Sequence, residues 1–209
     1  NDMKKLRFGQ AQYSLMCNQN GGIIDDLIIY KKQNDYLLVV NASNREKNLK
    51  WLKKHKNSNV LIKDISDSIG LLAVQGPRSR KMLNQIFDID ISKLSFYNFQ
   101  YASINGFNVM ISRTGYTGEL GYEIFVKSKN LIELWKNILS SGKEFGILAV
   151  GLGCRDTLRM EMRYHLYGLD IDENINPIEA GLSWVTKFDK EFFIGKSKLA
   201  KLNKKSQKK

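Results

Sequence analysis

The sequence predicts an α+β fold: antiparallel strands with helices laid on one face. Three observations carry that expectation. Strand-like runs are joined by short turn signals, such as Asn18-Gln-Asn-Gly-Gly22 and Asn105-Gly106. Amphipathic helical stretches are bounded by recognisable starts and stops. A strand, helix, β-hairpin, helix order runs through the middle of the chain and is compatible with ferredoxin-like units.

In chain order, Ala11 to Met16 and Ile23 to Tyr30 form a first hairpin, turned by residues 18–22. Asn34-Asp35 turns the chain again into Tyr36 to Asn41. Ser43-Asn-Arg-Glu46 reads as a capping box, so a helix runs through Trp51 to about His55. Val60 to Ile65 reads as a strand and Leu71 to Gln75 as another. Gly76-Pro77 then opens a helix with proline at its first position, carrying Met82, Leu83, Ile86 and Phe87 on one face. Tyr101 to Ile104 and Phe107 to Arg113 pair around Asn105-Gly106. Asn130 to Ser141 is amphipathic, with Leu131, Leu134, Trp135 and Ile138 inward and Gly142 at its end. A last helix covers roughly Leu152 to Arg163.

A chain of 209 residues can bury a substantial core, and its 43% apolar content is ordinary for a soluble protein. No run of about 18 apolar residues occurs, so no membrane association is expected. The first residues lack the apolar stretch of a signal peptide. Cys17 and Cys154 lie far apart and outside metal spacing, which suits free thiols in a reducing compartment. The net charge is +12, and nine lysines fall between Lys187 and Lys209. Arginine–aromatic interleaving is absent there, so a solvated tail is the reading rather than a nucleic-acid surface. A basic surface also draws in an acidic protein partner. Neither His55 nor His165 has a companion ligand at metal spacing, so no metal is expected. Walker and dinucleotide fingerprints and the nucleophile elbow are missing from the sequence.

The most informative stretch is Arg113-Thr-Gly-Tyr116-Thr-Gly-Glu119-Leu-Gly-Tyr-Glu123. It reads as a glycine-rich turn between two strands, 107–113 and 121–126. Glycine lets backbone approach a ligand closely. An aromatic ring and a carboxylate at the mouth of such a hairpin suit a flat, nitrogen-rich heterocycle: the ring covers a face and the carboxylate accepts N–H bonds. The competing reading is a decorated turn. Asp25 and Asp26 are neighbours on a strand and point to opposite faces, so they are no acid–base dyad. Residues 24, 26, 28 and 30 share one face and 23, 25, 27 and 29 the other. Periodicity alone does not say which of the two faces a ligand.

Two further blocks join the central turn. One is Gly9-Gln-Ala-Gln-Tyr13 leading into Asn20-Gly-Gly-Ile-Ile-Asp25-Asp26-Leu-Ile-Ile-Tyr30. The other is Gly151-Leu-Gly-Cys-Arg155-Asp156-Thr-Leu-Arg159 leading into Tyr164-His-Leu-Tyr167-Gly168. With these three blocks in this order, the chain resembles the aminomethyltransferases of the glycine cleavage system, the T-protein family, over essentially its whole length. The resemblance implies a folate-binding aminomethyltransferase-type fold. It implies residues 1–60 as a folate-binding sheet and helix, 61–150 as a ferredoxin-like lobe, and 151–209 as a returning helix and strand with a lysine-rich tail. By comparison the chain is expected to lack an N-terminal segment and a C-terminal β-rich domain.

The resemblance also implies the chemistry: an aminomethyl group passes from a lipoyl carrier protein, the H-protein, to tetrahydrofolate. It selects Asp26 as the functional carboxylate and Glu123 as the pterin-binding one. It assigns Arg155 to folate, and Tyr13, Val39, Asn41, Tyr116 and Tyr164 to the lining. Arg155 near a helix start is unfavourable for the helix dipole, so a partner is expected; an ion pair with Asp156 or Glu161 competes. Tetrahydrofolate is the acceptor substrate and no metal is implied. The compartment implied is the bacterial cytoplasm or, in a eukaryote, the mitochondrial matrix. Folate-dependent iron–sulfur assembly relatives carry a Lys-Gly-Cys motif, whereas here Ile194-Gly-Lys196 has no cysteine. Demethylating relatives of the same fold, and a basic non-catalytic nucleic-acid-binding domain, are the alternatives.

Overall fold

A computed structural model describes residues 1–206. The fold is α+β and the chain forms two compact units: Asn1–Lys63 with the segment from His165 onward, and Asp64–Tyr164.

The first unit holds a three-stranded antiparallel sheet, β1 (Ala11–Cys17), β2 (Ile23–Lys31) and β3 (Tyr36–Val40), in that order. Tyr13 pairs with Ile28, and Ile28 with Val39, so these three residues lie across one face. Alternation along β2 is unequal in burial. Ile23, Asp25, Leu27 and Ile29 are all buried, whereas Asp26 and Ile28 on the opposite face are half-buried. The sheet's core joins Ile23 to Ile171, Leu182 and Val185, with Tyr13, Leu15, Tyr167 and Ile175 packed around them. Helix α1 (Arg45–His55) follows β3 through a 3-10 turn at Ala42–Asn44.

The second unit has a four-stranded antiparallel sheet in the order β4-β7-β6-β5. Its strands are β4 (Ile69–Gln75), β5 (Phe99–Ile104), β6 (Phe107–Ser112) and β7 (Gly121–Lys127). Helix α2 (Ser79–Leu83) follows β4, and helix α3 (Leu131–Ser141) follows β7. The order extends strand, helix, hairpin, helix by one strand before α3. Asn105 and Gly106 both have positive φ, 48° and 83°, as a two-residue hairpin turn requires. Val74, Ile104, Val109, Ile111, Tyr122, Ile124 and Val126 line one face of the sheet and bury against Met82 and Leu83 of α2 and Leu134 and Ile138 of α3. Glu123 and Ser112 pair on the other face. Helix α4 (Leu152–Glu161) also belongs to this unit.

Several expected details differ. Ser43 makes no capping box. Helix α1 starts after Asn44, whose side chain caps no helix N–H and instead donates its amide to the Asp25 carboxylate. Residues 60–65 join no sheet; they carry the chain from one unit to the next, where neither ladder offers a partner, and Leu61 is 92% exposed. Helix α2 starts at Ser79, past Pro77, and is one short stretch. On α3, Leu131, Leu134 and Ile138 form the inward stripe, and Trp135 stands at its edge, 41% exposed. The lysine-rich end is not wholly a solvated tail: Lys196–Ser206 is helical (α5), and Leu199 is buried against Gly21. Lys208 and Lys209 of the same expectation lie outside the described residues.

Candidate functional site

The first unit brings Tyr13, Asp26, Val39 and Asn41 together. Asp26 sits mid-sheet on the half-buried face of β2. Tyr13, two positions along the pairing, reaches diagonally and donates its hydroxyl to Asp26 Oδ2 at 3.0 Å. Asn41, just past the end of β3, donates Nδ2 to Asp26 Oδ1 at 2.7 Å. Burial raises the Asp26 pKa above the ordinary carboxylate value, and the neighbouring Asp25 charge adds to this. The Asn41 and Tyr13 hydrogen bonds act the other way. Val39 faces the same side as Tyr13 through the shared partner Ile28. The alternation that sequence left open is thereby resolved: Asp26 lies toward accessible space and Asp25 is wholly enclosed.

Sequence reading missed several neighbours here. Trp184 stacks on Tyr13, with centroids 6.0 Å apart at 22°. Its indole is 60% exposed. Asn44 and Asn48 both donate side-chain amides to Asp25. The Asn44–Asn48 spacing is one helical turn, a signal visible in the sequence once Asp25 is known to be interior. Lys47 of α1 donates to the Tyr167 hydroxyl at 2.7 Å and pairs with Glu173 at 3.3 Å.

The second unit brings Tyr116, Glu123, Arg155 and Tyr164 into two clusters. Tyr116 and Tyr164 stack with centroids 5.7 Å apart, and the Arg155 guanidinium lies over the Tyr116 ring at 4.6 Å. That ring is the partner which an arginine at a helix start needs. The competing ion pair with Asp156 does not form, because Asp156 binds Arg159 at 2.7 Å, and the buried Arg159 also donates to the Tyr164 carbonyl. Glu123, directly across from Ser112, accepts from the Thr114 hydroxyl, which itself lies 2.9 Å from Ser112 Oγ.

Gln75 holds the glycine-rich turn. Its Nε2 donates to the Thr114 and Tyr122 carbonyls, and its Oε1 accepts from Thr117. A Cβ on Gly115 or Gly121 would come within 2.0 Å of Gln75 Oε1. A side chain at either glycine would therefore push the Gln75 amide out of its hydrogen bonds to the turn. The turn displays Tyr116, and leads into Glu123 on β7, because a side chain from β4 fills its inside. Nothing in the sequence marks Gln75 as more than a strand end.

Among the described residues, no group of His, Cys, Asp and Glu could hold a metal ion, and no helix is long and apolar enough to cross a membrane. Cys17 is half-buried, and desolvation pushes its thiol up to about 11, away from nucleophilic use at neutral pH. Cys154 is exposed at the start of α4.

The GCVT N-terminal domain family model matches residues 1–190. The chain is 48% identical over 202 residues to an aminomethyltransferase of Halothermothrix orenii, covering 96% of this chain and 57% of that protein. To the aminomethyltransferase of Bdellovibrio bacteriovorus it is 45% identical over 201 residues, 95% of this chain and 56% of the relative. Its fold is similar to that of the glycine cleavage system aminomethyltransferase T from Bartonella henselae, with a TM-score of 0.82 at 30% identity, over 96% of this chain and 55% of that one. The chain thus spans about half the length of the curated relatives it matches.

Proposed function

The chain belongs to the GCVT N-terminal domain family, and from that premise we propose that the whole protein is an aminomethyltransferase of glycine cleavage. The substrates would be an aminomethyl group carried on a lipoyl sulfur of the H-protein, and tetrahydrofolate. In the reaction the carbon–sulfur bond and the bond from the same carbon to its amino nitrogen both break, and two carbon–nitrogen bonds form to folate. The folate nitrogens give up two protons, one to the sulfur and one to the departing ammonia, leaving 5,10-methylenetetrahydrofolate.

The observation that carries this reading is Asp26: a carboxylate on the half-buried face of the first sheet, fixed on both oxygens by Tyr13 and Asn41. Positive charge develops on carbon and nitrogen as the carbon leaves sulfur. A fixed negative charge in poorly screened surroundings stabilises that build-up without reorganising. Asp26 acts mainly through charge and alignment, and general-base action is secondary. Glu123 is proposed to accept the pterin N–H groups, being held by Thr114 from the side. Arg155, Tyr116 and Tyr164 are proposed to bind folate through a cation and stacked rings; Tyr13, Val39 and Asn41 are proposed to line the approach to Asp26.

Folate titration and turnover in the intact protein test the proposal. Asp26→Ala is expected to lower kcat by about 10²-fold or more with folate Kd within about twofold. Glu123→Ala is expected to weaken folate binding by about tenfold. A parent protein that shows no saturable folate binding sinks the assignment.

A further inference from the structure

Asp25 has no part in the reading above, yet it is the most heavily bonded carboxylate of the first unit. It is 0% exposed. Four donors reach its two oxygens. Oδ1 accepts from Asn41 Nδ2 at 2.9 Å and Asn44 Nδ2 at 2.8 Å. Oδ2 accepts from the Asn41 backbone N–H at 3.3 Å and from Asn48 Nδ2. That fills the acceptor capacity of an ionised carboxylate. All four donors are neutral, so the charge is solvated but not cancelled.

The same Asn41 Nδ2 that binds Asp25 also binds Asp26 Oδ1. An amide nitrogen has two N–H bonds; here the shorter contacts go one to each carboxylate, with the Asp26 carbonyl a longer third acceptor at 3.3 Å. The two carboxylates point to opposite faces of β2, and Asn41, beyond the end of β3, is placed to reach both. We propose that Asp25 is a positioning residue for the transfer step. It fixes the Asn41 amide so that its second N–H sets the orientation of the Asp26 carboxylate, with Asn44 of the 3-10 turn and Asn48 of α1 clamping Asp25. This rests on Asp26 being the catalytic carboxylate.

A plain structural clamp would need no bond from Asn41 to Asp26. A cation at Asn44 or Asn48 would bind Asp25 more strongly but would also draw on the negative field at Asp26. Neutral amides orient without doing so. The titratable groups that face the pair are Tyr13 from β1, bonded to Asp26, and Tyr167, which feels the Asp25 charge. Lys47 and Glu173 stand behind Tyr167.

Two variants of the intact protein, assayed for kcat, folate Kd, melting temperature and the pH dependence of kcat, test the device. Asp25→Asn keeps the shape. The buried Asn48 Oδ1, which has no hydrogen-bond partner here, can accept from the substituted amide if Asn48 turns over. Expected are a kcat lower by about tenfold or more, folate Kd within about twofold, and an acid limb moved to lower pH because a neighbouring negative charge is gone. Asn44→Ala removes one donor and leaves the Asp25 charge. Expected is a kcat lower by about threefold or more with the acid limb unmoved. Melting temperatures that fall while kcat and the acid limb stay at parental values would show a structural clamp only and overturn the proposal. Should Asp25→Asn not fold, Asn44→Ala decides by the same kcat criterion. A parent protein without folate-dependent turnover is recognised before any variant is made, and that result overturns the function assignment together with this inference.

Discussion

Burial gives Asp26 a raised proton affinity, and that has a sign for stability as well as for catalysis. A carboxylate whose folded pKa lies above its unfolded value contributes most to stability when protonated. The contribution is complete below the unfolded value, about 3.9, and is lost as pH rises through the higher folded pKa. At neutral pH the ionised Asp26 therefore costs the fold free energy. Asp26→Asn is expected to raise stability at pH 7 by roughly 0.5–2 kcal/mol while turnover collapses. The gain should vanish when melting is repeated below about pH 3.9; a variant that is less stable at pH 7 contradicts the burial cause. At this scale the sequence was informative in part. Alternation separated Asp25 from Asp26 but could not orient the strand. Orientation is decided by Asn41, Asn44 and Asn48, which reach Asp25 from 16 to 23 residues away.

Among the elements, the glycine-rich turn depends on a side chain outside it. Gln75 spans the turn with two donated bonds and one accepted one. Gln75→Ala would leave the Thr114 and Tyr122 carbonyls without those donors, and the expected loss is about 1–3 kcal/mol in chemical denaturation. Folate affinity should fall along with it, since Tyr116 sits on that loop and Glu123 lies on β7 just beyond it; an unchanged melting curve would show that the turn holds itself. Most strands were legible here because each had both a two-residue period and a turn signal, as in Phe107 to Ser112 after Asn105-Gly106. Residues 60–65 had the period without a partner, and a strand exists only where a ladder accepts it. The capping box failed because Asn44, not Ser43, precedes the helix, and its side-chain amide is turned to donate to Asp25 while no helix N–H is capped.

Across the molecule, the second unit is one continuous stretch, Asp64–Tyr164, with its own buried core on one sheet face. Made alone, that segment is expected to unfold in a single cooperative transition with protected amides in β6 and β7. Non-cooperative melting with no slow-exchanging amides there would refute its independence. The α+β class was readable from the alternation of hairpins and amphipathic stretches. The division into units was less so, because the first unit is assembled from two distant parts of the chain and no local pattern announces that pairing. Ile23 meets Ile171, Leu182 and Val185 across some 150 residues of intervening sequence.

That split has a consequence during synthesis. A ribosome delivers β1, β2 and β3 first, yet the apolar residues that cover Ile23 emerge only after the whole of the second unit has been made. The nascent sheet must wait, greasy side uncovered, while the later segment is translated at about 5–20 residues per second. For several seconds the polypeptide presents what chaperones bind.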